Sequence, residues 1–305
     1  MLNEIQTNLL KEISGLHKIP QGAVSLRLNG KTEVMESTKD IIITPRTDKN
    51  GFFVRVKPNT KNKSLHIPVI IDNNTNEEVF NDFEIGENCD ILIVAGCGIH
   101  GTNTKQSSHN GVHSFIVGKN SKVRYVEKHL GLGNSKKTMN PKTEITLQEN
   151  AVFEMETVQL GGVSVANRTT NANIAQNSVL IAKEKILTDD KESANTFFTI
   201  NLDGQNSRAE IISRSVAKQN SKQTFKSNLI GKNACFGRVE CDGILMDNAV
   251  ITSSPSVVAM HSDASLSHEA QVGKIDGDAL IKLMTMGLNR QEAEEQIIAG
   301  YLKSE

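Results

Sequence analysis

The sequence predicts a mainly β fold in which short strands wind as a solenoid over roughly residues 80–270. Three observations predict it. A corner motif recurs at a near-constant interval, the segments between corners read as strands, and no helical pattern of 10–15 residues interrupts them.

The corners read Gly86-Glu87-Asn88-Cys89, Gly118-Lys119-Asn120-Ser121, Gln148-Glu149-Asn150-Ala151, Ala175-Gln176-Asn177-Ser178, Gly204-Gln205-Asn206-Ser207 and Gly231-Lys232-Asn233-Ala234. Successive asparagines are 32, 30, 27, 29 and 27 residues apart, and further copies at Asn220 and Asn248 divide the interval to 13–15. Asn tolerates the left-handed backbone that a tight corner needs. A corner at a fixed interval implies a coil of fixed length, and such coils bury their apolar faces only by stacking on neighbours. KVRYVEKHL, VFEMETVQL, VLIAKEKIL, TFFTINL and AEIISRSVA fill the intervals, with alternating faces as in Phe153, Met155 and Thr157 against Val152, Glu154 and Glu156. The alternative all-β fold, an antiparallel sandwich, wants two-residue Asn-Gly loops that these corners lack.

The flanks differ from the repeats. Leu2, Ile5, Leu9 and Ile13 fall on one helical face, which Ser14-Gly15 ends. DIIIT (40–44), FFVRV (52–56) and HIPVII (66–71) are short strands. After Ile275, Ala279, Leu280, Leu283 and Met284 make a short amphipathic helix that stops at Gly287. Asn289 with Glu292 forms a capping box for a second helix carrying Ala293, Ile297, Ile298 and Tyr301. The expected division is therefore 1–80 for a helix and short strands, 81–274 for the solenoid core, and 275–305 for a helical pair that caps its open end or docks a partner.

Composition narrows the function. Thirty-four basic against 35 acidic side chains leave a net charge of -1, which gives no reason to expect nucleic acid or an anionic membrane as partner. No apolar run reaches bilayer length and the start is no secretory signal, so the expected compartment is the cytoplasm. Cys89, Cys97, Cys235 and Cys241 form no C-x-x-C pair, and disulfides are not expected. No P-loop and no G-x-S-x-G motif occurs, so the chain is not expected to be an enzyme by either route.

The densest set of metal-capable side chains is Cys97, His100, His109 and His113, spaced C-x2-H-x8-H-x3-H. Thiolate and imidazole together suit iron, zinc and copper. GTNTKQSSHNG reads as a polar loop that folds back to gather them. Tyr125, Glu127 and His129 share one face of an extended strand. His261, Asp263, His268 and Glu269 form a third set, in which His268 and Glu269 point to opposite faces of a regular strand. Cys241 reads as a small core residue.

Several of these segments together resemble the SufB/SufD family, the scaffold proteins of the SUF iron–sulfur cluster assembly system. They are AGCGIHGTNTKQSSHNGVHSF, RYVEKHLG, SRSVAKQNSK, RVECDGILMDNAV and, most specifically, SLSHEAQVGKIDGDALIKLMTMGLNRQEAEEQIIAGYL, over about residues 80–303. The chain looks like the short form of a system with a single scaffold. The resemblance implies a right-handed parallel β-helix that pairs as a homodimer or a SufB/SufD-type heterodimer. It implies a SufC-like ABC ATPase docked on the C-terminal helices, here through Leu280, Leu283, Met284, Ile297 and Ile298. It also implies a transient cluster of iron and sulfide, passed on to acceptor proteins. Two SufB cysteine positions are occupied here by His129 and Ala259, while the His-Glu pair of the family stands at His268 and Glu269 as candidate iron ligands. Two expectations follow. Either Cys97, with His100, His109 or His113 and alongside Glu127 and His129, supplies the missing ligands, or the chain is SufD-like and has no cluster site of its own. The remaining alternatives are a β-helix carbohydrate-active enzyme and a structural partner of an ABC transporter.

Overall fold

The computed structural model of the protein describes residues 2–101 and 105–303. Twenty strands form two ten-stranded sheets that face one another, wound as about eight solenoid turns. The first sheet holds β1 (Ala23–Leu28), β2 (Lys31–Glu36), β5 (Lys63–Ile71), β7 (Asp90–His100), β9 (Lys122–Leu132), β12 (Val152–Gln159), β14 (Val179–Thr188), β16 (Arg208–Ala217), β18 (Phe236–Leu245) and β20 (Ser265–Gly273). The second holds β3 (Ile41–Pro45), β4 (Gly51–Val56), β6 (Asn76–Ile85), β8 (Ser107–Val117), β10 (Lys137–Met139), β11 (Lys142–Leu147), β13 (Val165–Ile174), β15 (Ser193–Leu202), β17 (Lys222–Gly231) and β19 (Val250–Ala259). Pairing along each sheet is parallel and in register, apart from β1 with β2 and β3 with β4, which are antiparallel.

The expected boundary at residue 80 is not a structural one. β1 pairs in parallel with β5, and β4 with β6, so the early strands are coils of the same solenoid. Their core is continuous with the rest, from Ala23 to Cys241. Inside it, Phe83 and Phe115 stack at 4.4 Å, and Phe153 meets Phe115 edge-on at 5.1 Å. Such ring pairs contribute about 0.5–1.5 kcal/mol each beyond their area.

Asn88, Asn120, Asn150, Asn177 and Asn206 have φ between 55° and 58°. They turn the chain from the second sheet to the first. From Asn120 onward each asparagine side chain donates to the one a coil earlier, for instance Asn150 Nδ2 to Asn120 Oδ1 at 3.0 Å and Asn206 Nδ2 to Asn177 Oδ1 at 3.1 Å. The return corners belong to another type: the left-handed residue there is Asp190, Gln219 or Asp247. Asn220 and Asn248 therefore follow the turning residue, and Asn233 sits in a bend without positive φ.

Helix α1 (Glu4–Ser14) is capped by Asn3 and Gln6 and ended by Gly15 at φ 69°. Its buried face is Gln6, Leu9, Leu10 and Ile13, rotated from the expected one, with Ile5 at the surface. α2 (Gly277–Thr285) and α3 (Arg290–Lys303) occur as expected, and Asn289 and Glu292 form the capping box. They do not cover the end of the solenoid. They pack on one another and, through α3, on β16, while His268 and the strands around it remain exposed. No helix of the described residues is long and apolar enough to cross a membrane.

Candidate functional site

The segment expected to be a ligand loop is mostly strand. Cys97 and His100 lie on β7, His109 and His113 on β8; residues 102–104 lie outside the described residues. Ser107, His109, Gly111, His113 and Phe115 alternate inward at period two, an ordinary strand pattern hidden by polar residues at the inward positions. The glycines beside Cys97 have a packing cause. A Cβ on Gly96 would approach Ile13 to 3.0 Å, and one on Gly98 would approach Leu9 to 3.0 Å. They let α1 lie flat on the outside of β7 while Cys97 faces the lumen.

The two sheets then bring most of the candidates together from opposite sides. Cys97, His109, His113, Glu127 and His129 line one internal cavity of about 20 Å³ with Ser25, Arg27, Asn81 and Gly111. His100, on the outward parity of β7, does not join them. A cavity of that size holds about one water-sized body. That space is far smaller than a cluster of several irons and sulfides.

Two buried ion pairs frame the chamber. Arg27 donates to Glu77 at 2.8 Å, and the other Glu77 oxygen lies 2.9 Å from His109 Nδ1. Arg168 donates to Glu127 at 2.6 Å and to His129 Nδ1 at 3.1 Å. Tyr125 donates to Glu127 at 3.0 Å, and its oxygen lies 2.9 Å from His113 Nδ1. Burial alone would raise the Glu127 carboxyl, but His129 and Arg168 outweigh it and hold it well below the usual carboxylate range. Burial, assisted by Glu77 and Glu127, keeps the Cys97 thiol well above its usual value, so it stays protonated. Burial pushes His113 down to about 4. Farther along the lumen Glu184 accepts from Thr196 at 2.8 Å and Ser213 at 3.0 Å, and burial raises its carboxyl. Among the described residues no three His, Cys, Asp or Glu side chains already surround one point as metal ligands.

Arg27, Glu77, Asn81, Arg168 and Glu184 were not singled out from sequence. Their signal was a charged or amide residue on the inward parity of a strand, visible only once each strand's register is known.

The third set is scattered. His268 pairs with Val239 and shares its inward parity, yet is exposed because no coil follows. Glu269 faces outward and accepts from Arg238 at 2.8 Å. His261 accepts from the Asp263 amide at 3.1 Å in an exposed turn. All four cysteines are buried, Cys241 among them, with burial pushing its thiol up to about 11. On the helices, Ile298 is buried and Ile297 half-buried; the exposed apolar side chains are Met284 and two not expected, Ile281 and Met286.

Comparison with known proteins gives a consistent result. Residues 74–301 match the family described as "SUF system FeS cluster assembly, SufBD core domain". An iron–sulfur cluster assembly SufBD family protein of Archaeoglobus fulgidus is 30% identical over 270 residues, which cover 85% of this chain and 69% of that protein. One of Methanothermobacter thermautotrophicus is 26% identical over 260 residues, covering 84% and 63%. SufB of Bacillus subtilis is 33% identical over 102 residues, 32% of this chain and 22% of that protein. The chain thus spans about two thirds of the length of these archaeal relatives. A solenoid of parallel strands, matched along about three quarters of its length, belongs to the SufBD core family of the SUF iron–sulfur cluster assembly system.

Proposed function

We propose that this chain is a scaffold subunit for iron–sulfur cluster assembly that works through its C-terminal end rather than as an enzyme alone. The observation that carries this is the open last coil. Ile251, Ser253, Pro255, Val257 and Leu266 occupy inward positions yet are only half-buried, and His268 is exposed. The equivalent inward positions one coil earlier, Gln223, Phe225, Ser227, Leu229 and Val239, are buried. Val250, Val258, Met260 and Val272 add exposed apolar surface beside them. A second copy, or a paralogue, set against this end would enclose His268 in a shared interior, where its imidazole would ligate iron. Glu269 points away and is held by Arg238, so the two do not act on one ion from a single regular strand. α2 and its C-cap, with Ile281, Met284 and Met286 exposed, are the docking surface for a SufC-like ABC ATPase. Iron and sulfide are the cargo, released to acceptor proteins.

A second reading is favoured by the cysteines. Since all four are buried and Ala259 stands at the inward position of β19, the chain would be SufD-like and borrow its thiols from a partner. Anaerobic co-expression with a SUF-type ATPase, followed by size measurement and iron and sulfide analysis, tests both. A dimer that binds the ATPase and carries iron and sulfide supports the scaffold. A complex without cluster selects the second reading, and no complex and no cluster overturns both.

A further inference from the structure

The chamber behind Cys97 takes no part in the contacts proposed above. We infer that His109, His113 and Cys97 form a mononuclear site for one borderline divalent transition-metal ion. That the ion is ferrous iron rests on the assembly role proposed above; the site itself does not.

The tautomers are fixed from outside. Glu77 only accepts, so His109 carries its proton on Nδ1, 2.9 Å away, and presents a bare lone pair at Nε2. The Tyr125 proton goes to Glu127 at 3.0 Å, so the phenol oxygen accepts from His113 Nδ1–H at 2.9 Å and leaves His113 Nε2 as a lone pair, faced at 3.4 Å by the Asn81 Nδ2 amide, which must turn away for an ion to bind. A ring N–H given to a carboxylate or another acceptor is the usual support of a metal-ligating histidine.

Both lone pairs converge on a glycine. An atom at the Cβ position of Gly111 would lie 3.0 Å from His113 Nε2 and 3.4 Å from His109 Nε2. Cys97 closes the same cavity from the facing sheet. Two more buried polar atoms line it, and both Asn81 Oδ1 and Ser25 Oγ lack a hydrogen-bond partner. These side chains are 5% and 1% exposed, and buried polar atoms seldom stay unsatisfied. Mostly lone pairs meet here, with no ammonium or guanidinium free to fill the space, since Arg27 and Arg168 are committed to Glu77 and Glu127. The volume of about 20 Å³ suits one ion. Binding requires the thiol to turn toward the imidazoles and lose its proton: the metal–sulfur bond forms, the S–H bond breaks, and one proton leaves to solvent.

Cobalt(II) is the probe, titrated anaerobically into the full chain. One equivalent should bind with ligand-field bands of low coordination number, a thiolate-to-cobalt charge-transfer band, and release of one proton. Cys97→Ser should lose the charge-transfer band. Gly111→Ala fills the cradle without removing any ligand, on extended backbone that alanine accepts, and should abolish binding. Tyr125→Phe should weaken binding about 10- to 100-fold. Thermal melting of each apo variant shows that the fold persists, and His109→Gln serves where Gly111→Ala does not fold. Wild-type binding without the charge-transfer band, or unchanged binding in Gly111→Ala and His109→Gln, overturns the site. Absence of cobalt binding also overturns it, and leaves the assembly role standing on the co-expression test. Lost cobalt binding in Gly111→Ala with normal cluster yield keeps the site and removes iron as its ion.

Discussion

At its N-terminal end the solenoid is closed, and at its C-terminal end it is open. The first coils finish in antiparallel hairpins, β1 with β2 and β3 with β4, and α1 seals the outside of β5 and β7 with Leu9, Leu10 and Ile13. There even charged side chains are buried: Arg27 and Glu77 pair at 4% side-chain exposure each. The last coil has the same geometry and no successor, so inward residues such as His268 reach solvent. The same coil is a core or a surface depending only on whether another lies against it. The closed end can therefore be tested by stability, and the open end by association.

The largest effect is expected inside. Arg168→Met would leave Glu127 and Glu184 without their cation, and removing one partner of a buried pair costs about 3–5 kcal/mol. Urea unfolding at neutral pH measures it; a loss below about 1 kcal/mol would show that water reaches this lumen, and the contrast between the ends would fail. Next comes pH. Folded His113 sits at about 4 against the ordinary 6.5, so the unfolded chain binds the extra proton between those values. Stability is full above pH 6.5 and falls as the pH drops to about 4, by on the order of 3 kcal/mol from this group. Glu127, held low when folded, is lost only below the usual carboxylate range. Urea midpoints for the wild type and His113→Gln over this window should converge toward acid.

Smaller effects sharpen the other side. Replacing the corner residue, Asn177→Ala, should cost about 1–2 kcal/mol, because alanine strains at φ 56° and the ladder to Asn150 is lost. Asn177→Gly should recover most of it. At the open end, Val258→Asp should change monomer stability by less than about 0.5 kcal/mol and yet lower the sedimentation mass of the assembly. A large stability loss there would mean the end is folded core rather than an interface.

The solenoid was legible because left-handed corners leave a mark in sequence: Asn at 88, 120, 150, 177 and 206. Two corner families were merged, since Gln219 and Asp247 do the turning beside Asn220 and Asn248. Gln219 carries no left-handed signature, so only coordinates separate them. The convergence of Cys97, His109 and His113 was legible as proximity in sequence but not as geometry. They meet across the lumen because one coil brings β7 and β8 face to face. The polar segment GTNTKQSSHNG suggested a loop, although from Ser107 it is strand β8, and the reason for Gly96 and Gly98 is a helix about 85 residues earlier in the chain. Partners so distant in sequence, like Arg168 with Glu127, leave no local pattern.

The blunt first end has a consequence for size. β2 exposes Lys31, Glu33 and Glu36, and β3 finishes at Pro45, which has no amide proton to offer a further strand. Tail-to-tail joining of two copies would thus hide both growing edges and leave only sterile ones outward. Stacked strands with an in-register asparagine ladder are otherwise the makings of a fibre. If copies join through their open ends as proposed, a charged, proline-ended head would leave no edge for a third copy to add to.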